Sequence, residues 1–203
     1  KLWKEAKAAQ RQKGYQQAYR SMEAAVKETE GEMLFYQSKV CEGVFHRISS
    51  GATRDGLEVF GKMEKGYLLS VDSNWDMYGD GYLSGHYFSE EALREQLEKA
   101  YPGLVFTEEP LEKQINMHKR DKVGYILSLT VGNKTISGEE FRQLLELPSS
   151  NFTMQAADRK IRFLCKGQGH GLGLSQYGGN VLAKEGKSYQ EILRYYFPEC
   201  EVK

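Results

Sequence analysis

Cysteine is scarce: three residues in 203, an odd and sparse set that cannot build a disulfide framework. None of them forms a C-x-x-C pair, so a structural zinc site is not expected. Cys41, Cys165 and Cys200 read as inert, buried or half-buried thiols, with a Cys165–Cys200 disulfide as the alternative. Net charge is lacking as well, because 28 Lys and Arg stand against 28 Asp and Glu. A neutral chain exerts no global pull on nucleic acid or on an anionic membrane, so only local patches could do so. No apolar run approaches about 18 residues, and no segment is expected to span a bilayer. No signal peptide is visible, and the first residue is Lys rather than Met. The expectation is a piece of a longer protein, with any membrane anchor lying upstream. The apolar fraction of 40% still supports a packed core.

Helix and strand patterns are mixed along the chain. From Leu2 to Lys27 the Ala, Gln, Lys, Glu and Tyr content favours helix, with Gly14 expected to break it and Gly31 to end it. Ala18, Met22, Ala25 and Val26 fall at helical spacing and mark an expected buried face. Two strands are expected around a turn at Gln37–Lys39, then loop from "SSGATRDGLEVFG" and a short apolar strand in "YLLSVDSNWD". Ser89 starts a helix with Ala92, Leu93, Leu97 and Ala100 on one face, stopped by Pro102-Gly103. Residues 115–136 read as strands with a Gly132-Asn133 hairpin turn. Ser137 with Glu140, and Ser188 with Glu191, form capping boxes for two further helices. Strands are expected at Phe152–Gln155 and Lys160–Cys165, joined by Asp158-Arg159-Lys160 as a solvated turn. A helix from about Ser175 should end near Gly186. Without regular strand-helix-strand alternation, this pattern is α+β: one mixed domain of short antiparallel strands with peripheral helices.

The most unusual stretch is "GQGHGLGLSQYGG", Gly167 to Gly179. It fits no nucleotide loop. In G-x-G-x-x-G terms, Leu172 or Gln176 stands where the third glycine is needed, and G-x-x-x-x-G-K-[ST] is absent. Tyr177 occupies the last glycine of a G-x-S-x-G elbow. What remains is a strand ending near Cys165, a turn, and a helix starting near Ser175. Glycines at 167, 169, 171 and 173 permit positive φ or close backbone approach, so a polymer could lie against the main chain. His170 would project as a donor or general acid–base, Ser175 would cap the helix, and Gln176 would suit sugar hydroxyls or amides. The plainer alternative is that the glycines only shape a tight turn and His170 caps a strand.

This segment, continued through "GGNVLAKEGKSYQEILRYYFPECEV", resembles the C-terminal signature of the stage II sporulation protein D (SpoIID/LytB) family. That signature runs G-x-G-H-G-x-G-x-S-Q-x-G-A, then a helix, then G-x-x-Y-x-x-I-L-x-x-Y-Y. Gly179 stands where alanine is usual, and Phe197 where the pattern often continues with Tyr or Pro. Three earlier blocks resemble the family in the same order. Thr29, Gly31, Phe45, His46, Ser49, Ser50 and Gly51 match the first. "YLLSVDSNWD" matches the second, and "ISGEEFRQLLELPSSNF" the third. Together they cover about residues 15–202.

The resemblance implies an extracytoplasmic bacterial protein, anchored by an upstream segment, that cleaves peptidoglycan glycan strands as a lytic transglycosylase during sporulation engulfment. Its implied partners are the glycan strands and a cell-wall amidase that removes stem peptides. The alternative, drawn from the amidase enhancers among its relatives, is a non-catalytic glycan-binding module. Lytic cleavage needs one carboxyl group, which protonates the leaving oxygen and then takes the proton of the sugar's attacking 6-hydroxyl. In the family that Glu sits in an E-A-L-K-A-Q-A-x-x-A-R-T-Y helix, which is not found here. Glu5 lies in a superficially similar run, but "YQQAYR" resembles the family's H-C-Q-x-Y-(K/R) element and places the catalytic helix upstream of Lys1. Tyr15 and Gln16 occupy the positions where some members carry zinc ligands. Cys41 and His46, five apart on a presumed strand, face opposite ways. No metal and no cofactor is therefore expected. The expected site is His170 as the catalytic candidate, with His46, Ser49, Ser175, Gln176 and Tyr177 binding substrate. Trp75, Tyr78, Tyr82 and Tyr87 are candidates to line a glycan groove.

Overall fold

The computed structural model describes residues 2–157 and 160–203, and side chains from 12–156 and 160–203. The expected Asp158-Arg159 turn and the side chain of Glu5 lie outside the described residues. Within them the α+β class is realised by six helices and eleven short strands in four small sheets. The chain divides into two compact units.

The first unit comprises Lys1–Cys41 and Glu201–Lys203. Helix α1 (Leu2–Glu28) runs unbroken through Gly14. One interior glycine costs only about 1 kcal/mol, which strong helix formers on either side offset. Ala18, Met22, Ala25 and Val26 are exposed, not buried as expected. Helical spacing shows which residues share a face; it does not show that another element covers them. Strands β1 (Leu34–Tyr36) and β2 (Lys39–Val40) form the expected hairpin, with Gln37 and Ser38 at positive φ in its turn. The strand Glu201–Val202 pairs with the other edge of β1.

The second unit, Glu42–Cys200, holds the core. It begins with β3 (Phe45–His46) and α2 (Gly56–Phe60), a short helix capped by Asp55 where the sequence suggested loop. The apolar run Tyr67–Val71 forms no strand. Its backbone bonds run one-sidedly to the preceding loop, Thr53 N–H to Val71 O and Gly56 N–H to Leu68 O, while Tyr67 and Leu68 are buried. A 3-10 turn, Asn74–Tyr78, follows. Strand β4 (Leu83–Ser89) leads into α3 (Glu90–Ala100), capped by Ser89. Leu93 and Leu97 of α3 are buried, whereas Ala92 and Ala100 are exposed. Strands β5 (Ile115–Arg120), β6 (Ile126–Val131) and β7 (Lys134–Ile136) form an antiparallel sheet that turns at Gly132-Asn133. Helix α4 (Gly138–Leu144) starts at the Ser137–Glu140 capping box, and strands β8 (Phe152–Ala157) and β9 (Lys160–Lys166) follow. Sheet β4-β9-β8 presents Phe163, Ile161, Cys165 and Phe152 inward, against α3, α4 and the second sheet. β10 (Leu174–Ser175) pairs parallel to β3, the one exception to antiparallel pairing among the described sheets. Helices α5 (Gln176–Lys184) and α6 (Tyr189–Tyr196) close the unit, the latter from the Ser188–Glu191 capping box. Cys165 is a buried free thiol, so the alternative disulfide with Cys200 is not formed; burial pushes its pKa up to about 11. Among the described residues, no helix is long and apolar enough to cross a membrane.

Candidate functional site

The loop between β9 and β10 is built by its alternating glycines. Gly167, Gly169, Gly171 and Gly173 all have positive φ. Their freedom is used for close approach to the chain's own 44–54 segment. A Cβ on Gly169 would lie 2.9 Å from the Cβ of His46, and one on Gly173 only 2.2 Å from the Val44 carbonyl oxygen. Backbone bonds lock the fit. Arg47 and Ile48 N–H both donate to Gln168 O, Gln168 N–H to Ile48 O, Arg54 N–H to Gly171 O, and Leu174 N–H to Val44 O. The main chain here meets protein where the sequence suggested a polymeric ligand.

This packing brings His46 and His170, 124 positions apart, to a ring-centroid distance of 5.8 Å. Leu172 bridges them. His46 Nδ1–H donates to the Leu172 carbonyl at 3.0 Å, and Leu172 N–H donates to His170 Nδ1 at 3.1 Å. The two tautomers are therefore opposite. His46 is 3% exposed and its Nε2 is buried without a hydrogen-bond partner. Burial pulls its pKa from 6.5 to about 4, against the upward effect of the Leu172 carbonyl and with a smaller downward push from His170. His170 is half-buried, and burial lowers its pKa also. The Glu139 carboxylate and Phe45 carbonyl oppose that shift, while Arg142 and Arg54 add to it. Both rings favour the neutral form, which suits them to direct hydrogen bonds more than to deliver protons near pH 7. Glu139 is held by Arg142 through Nε at 2.8 Å and Nη2 at 2.6 Å. Beneath the loop, the buried Arg54 pairs with the buried Asp121 at 2.6 Å, lies 4.7 Å over the Tyr125 ring, and donates to the His170 carbonyl. This pair fixes the height of His170.

Ser49 and Ser175 are fully buried. Ser49 N–H donates to Asp76 Oδ2 at 2.7 Å, and Ser175 Oγ donates to Asp76 Oδ1 at 2.9 Å while capping α5 through Gly178 N–H. Asp76 itself is fully buried. The two serines thus stand behind the site and tie β10, α5 and the 48–51 loop together through one carboxylate.

Gln176 and Tyr177, the first residues of α5, face the surface. They line an open groove of about 470 Å³ with Arg47, Tyr78, Asp80 and Asn180. That size lies within the range of small-molecule sites. The Tyr177 ring rests on Gly79, where a Cβ would approach its Cδ2 to 3.1 Å. The groove combines two phenol rings, two amides, a guanidinium and a carboxylate, the mixture that binds sugar rings by stacking and hydroxyls by paired hydrogen bonds. Of the four aromatic candidates, only Tyr78 lines it. Trp75 packs against Tyr195, Tyr82 donates to the Ser50 carbonyl, and Tyr87 lies on β4. The site residues fall into two groups: His46 with His170 beside the glycine loop, and Gln176 with Tyr177 in the groove. Sequence reasoning missed Arg47, Asp80 and Asn180 in the groove and Asp76, Arg54 and Asp121 behind it. Asp76 ends the quoted "VDSNWD" block, and Arg47 follows His46 directly; those were the available signals. Among the described residues no cluster of three His, Cys, Asp or Glu could hold a metal ion.

Fold and site together define an α+β domain organised around a Gly-His-Gly loop wedged against a Phe-His strand, with a polar, aromatic groove at the following helix. No family model matches the chain. The chain is similar to stage II sporulation protein D of two Bacillus species. It is 30% identical over 188 residues to that protein of Bacillus amyloliquefaciens, covering 93% of this chain and 52% of the relative. It is 28% identical over 189 residues to that of Bacillus subtilis, again covering 93% and 52%. It is also 42% identical over 50 residues to the amidase enhancer of Bacillus subtilis, covering 25% of this chain and 7% of the relative. The chain spans about half the length of the stage II sporulation protein D relatives.

Proposed function

We propose that this chain is the glycan-holding part of a cell-wall protein that acts in sporulation, and that the whole protein cleaves peptidoglycan strands as a lytic transglycosylase. The observation that carries the reading is the groove at the start of α5, where Tyr78, Tyr177, Gln176 and Asn180 offer ring faces and two-sided hydrogen-bonding groups side by side. The homologues named stage II sporulation protein D support the cell-wall and sporulation setting. Gln176 and Tyr177 hold the sugar, with Tyr78 stacking on a ring. Asp76, Ser49 and Ser175 keep the wall in place. His170 and His46, neutral and oppositely tautomeric, hold the glycine loop through Leu172. The proton donor is a carboxyl group from outside these 203 residues, as the family resemblance implies. It protonates the glycosidic oxygen and then accepts the proton of the attacking 6-hydroxyl. The protein works outside the cytoplasmic membrane alongside a cell-wall amidase.

A second reading, a non-catalytic module that holds glycan and enhances an amidase, is favoured by the match to the amidase enhancer. One experiment separates the two. Glycan strands stripped of peptides are incubated with this chain and with the protein extended upstream, and 1,6-anhydro sugar ends are counted by mass spectrometry. Anhydro products from the extended protein alone support the enzyme. Binding without products from both supports the module. Products from the 203-residue chain alone would refute the external proton donor.

A further inference from the structure

The outward face of sheet β4-β9-β8 is basic in a protein with no net charge. The register places Leu83, Gly85, Tyr87 and Ser89 of β4 beside Lys166, Leu164, Arg162 and Lys160 of β9, with Thr153 and Gln155 of β8 on the far side of Leu164 and Arg162. The opposite face is the core, with Ile161, Phe163 and Cys165 buried. β9 thus sends Lys160, Arg162 and Lys166 to one side. Successive same-side residues lie about 7 Å apart on a strand. No carboxylate side chain shares this face among the described residues, and none of the three cations is in an ion pair there. Arg162 donates to Gln155, which holds its guanidinium along the sheet. Tyr87 is 59% exposed, and its ring lies over Gly85, where a Cβ would meet it at 3.5 Å. A flat ring with Leu83 and Leu164 nearby offers apolar surface for sugar faces, and the cations offer pairing for carboxylates.

One end of this face adjoins a groove residue along the chain. β4 begins three residues after Asp80, and β9 ends two residues before Gln168. Gly167 N–H donates to Tyr82 O, and Gln168 Nε2 to Gly81 O, so the two strand ends are tied at the groove's edge. β4 spans seven residues, roughly 20 Å, room for several sugars.

We infer that this sheet face is a second binding surface, one that carries the onward run of a carboxylate-bearing glycan strand whose end sits in the groove. The inference rests on the glycan reading of the groove. Tyr87 stacks on a sugar ring, and Lys166, Arg162 and Lys160 pair with carboxylates spaced along the strand.

The test measures binding of the 203-residue chain by fluorescence anisotropy to three probes: long peptide-free glycan strands, the same strands with carboxylates converted to methylamides, and a tetrasaccharide. An Arg162→Ser/Lys166→Ser double variant and Tyr87→Ala are compared with Gln176→Ala/Tyr177→Ala, after melting curves show that each is folded. The sheet variants should bind long strands roughly three- to tenfold more weakly, with a shallower salt dependence, and the tetrasaccharide unchanged. Methylamide strands should bind the unaltered protein as weakly as free strands bind the double variant. Equal affinity of the double variant and the unaltered protein for long strands overturns the inference. So does equal loss on a DNA duplex or a phosphate polymer, which would mark a general polyanion surface. The groove reading fails separately, if Gln176→Ala/Tyr177→Ala leaves tetrasaccharide binding intact.

Discussion

Replacing His46 by Asn isolates the energetic consequence of burying an imidazole under the glycine loop. The Asn amide nitrogen can stand where Nδ1 stands and keep the donation to the Leu172 carbonyl, but it does not titrate. His46 has a folded pKa of about 4 against 6.5 for the free side chain. Between those values the unfolded chain binds a proton that the folded chain does not, so stability falls as pH drops through the window. The gap, 6.5 less about 4, corresponds to about 3 kcal/mol when fully expressed. Roughly 2 kcal/mol of it should be gone by pH 5 and nearly all by pH 4. At 3% exposure, little solvent screening reduces this. The lowered pKa values of His170 and of Glu140 also cost stability in acid, but in both proteins, so they cancel in the comparison. Urea unfolding at pH 7, 6, 5 and 4 should show the unaltered protein losing about 2–3 kcal/mol more than His46→Asn over the range. Parallel curves for the two proteins from pH 7 to pH 4 would refute the account of a neutral, desolvated His46.

Three further outcomes follow from the geometry. Asp76→Ala should cost about 3–5 kcal/mol, lowering the melting midpoint by roughly 6–20 °C, because it strands the buried Ser49 N–H and removes the acceptor of Ser175; a loss below about 1 kcal/mol would contradict its bridging role. Gly173→Ala should cost at least about 2–3 kcal/mol, since it combines a positive φ with a Cβ 2.2 Å from the Val44 carbonyl, and calorimetry would read it directly. Tyr78→Ala, at a ring 81% exposed, should change stability by no more than about 0.5 kcal/mol yet weaken tetrasaccharide binding roughly two- to tenfold; unchanged binding would remove Tyr78 from the groove.

Features set by near neighbours were legible without a structure. The Ser137–Glu140 and Ser188–Glu191 capping boxes, the Gly132-Asn133 hairpin and the start of α5 at Ser175 each depend on groups within a few residues. The positive φ of the alternate glycines was legible for the same reason, as a property of the residue itself. β4 was missed because Ser84, Gly85 and Ser89 dilute its period-two pattern, although its burial alternates throughout. Gln176 and Tyr177 were substrate-binding candidates and Tyr78 a groove candidate, but nothing local showed that these segments, about a hundred positions apart, share one groove with Asp80.

By itself the sequence determined the α+β class, the order and caps of most helices, the four ordered motifs, and a glycine loop able to carry positive φ. Only the tertiary structure decided what those residues face. Asp76 reaches Ser49 across 27 positions and Ser175 across 99, and Arg54 reaches Asp121 across 67. Those long-range partners turn Ser49 and Ser175 into buried supports and aim the glycine backbone at its own chain. They also leave Gln176, Tyr177 and the outward side of β9 in solvent. Local propensity can specify a turn or a cap because the interacting groups are adjacent along the chain. Which side of that turn meets solvent depends on packing between distant segments.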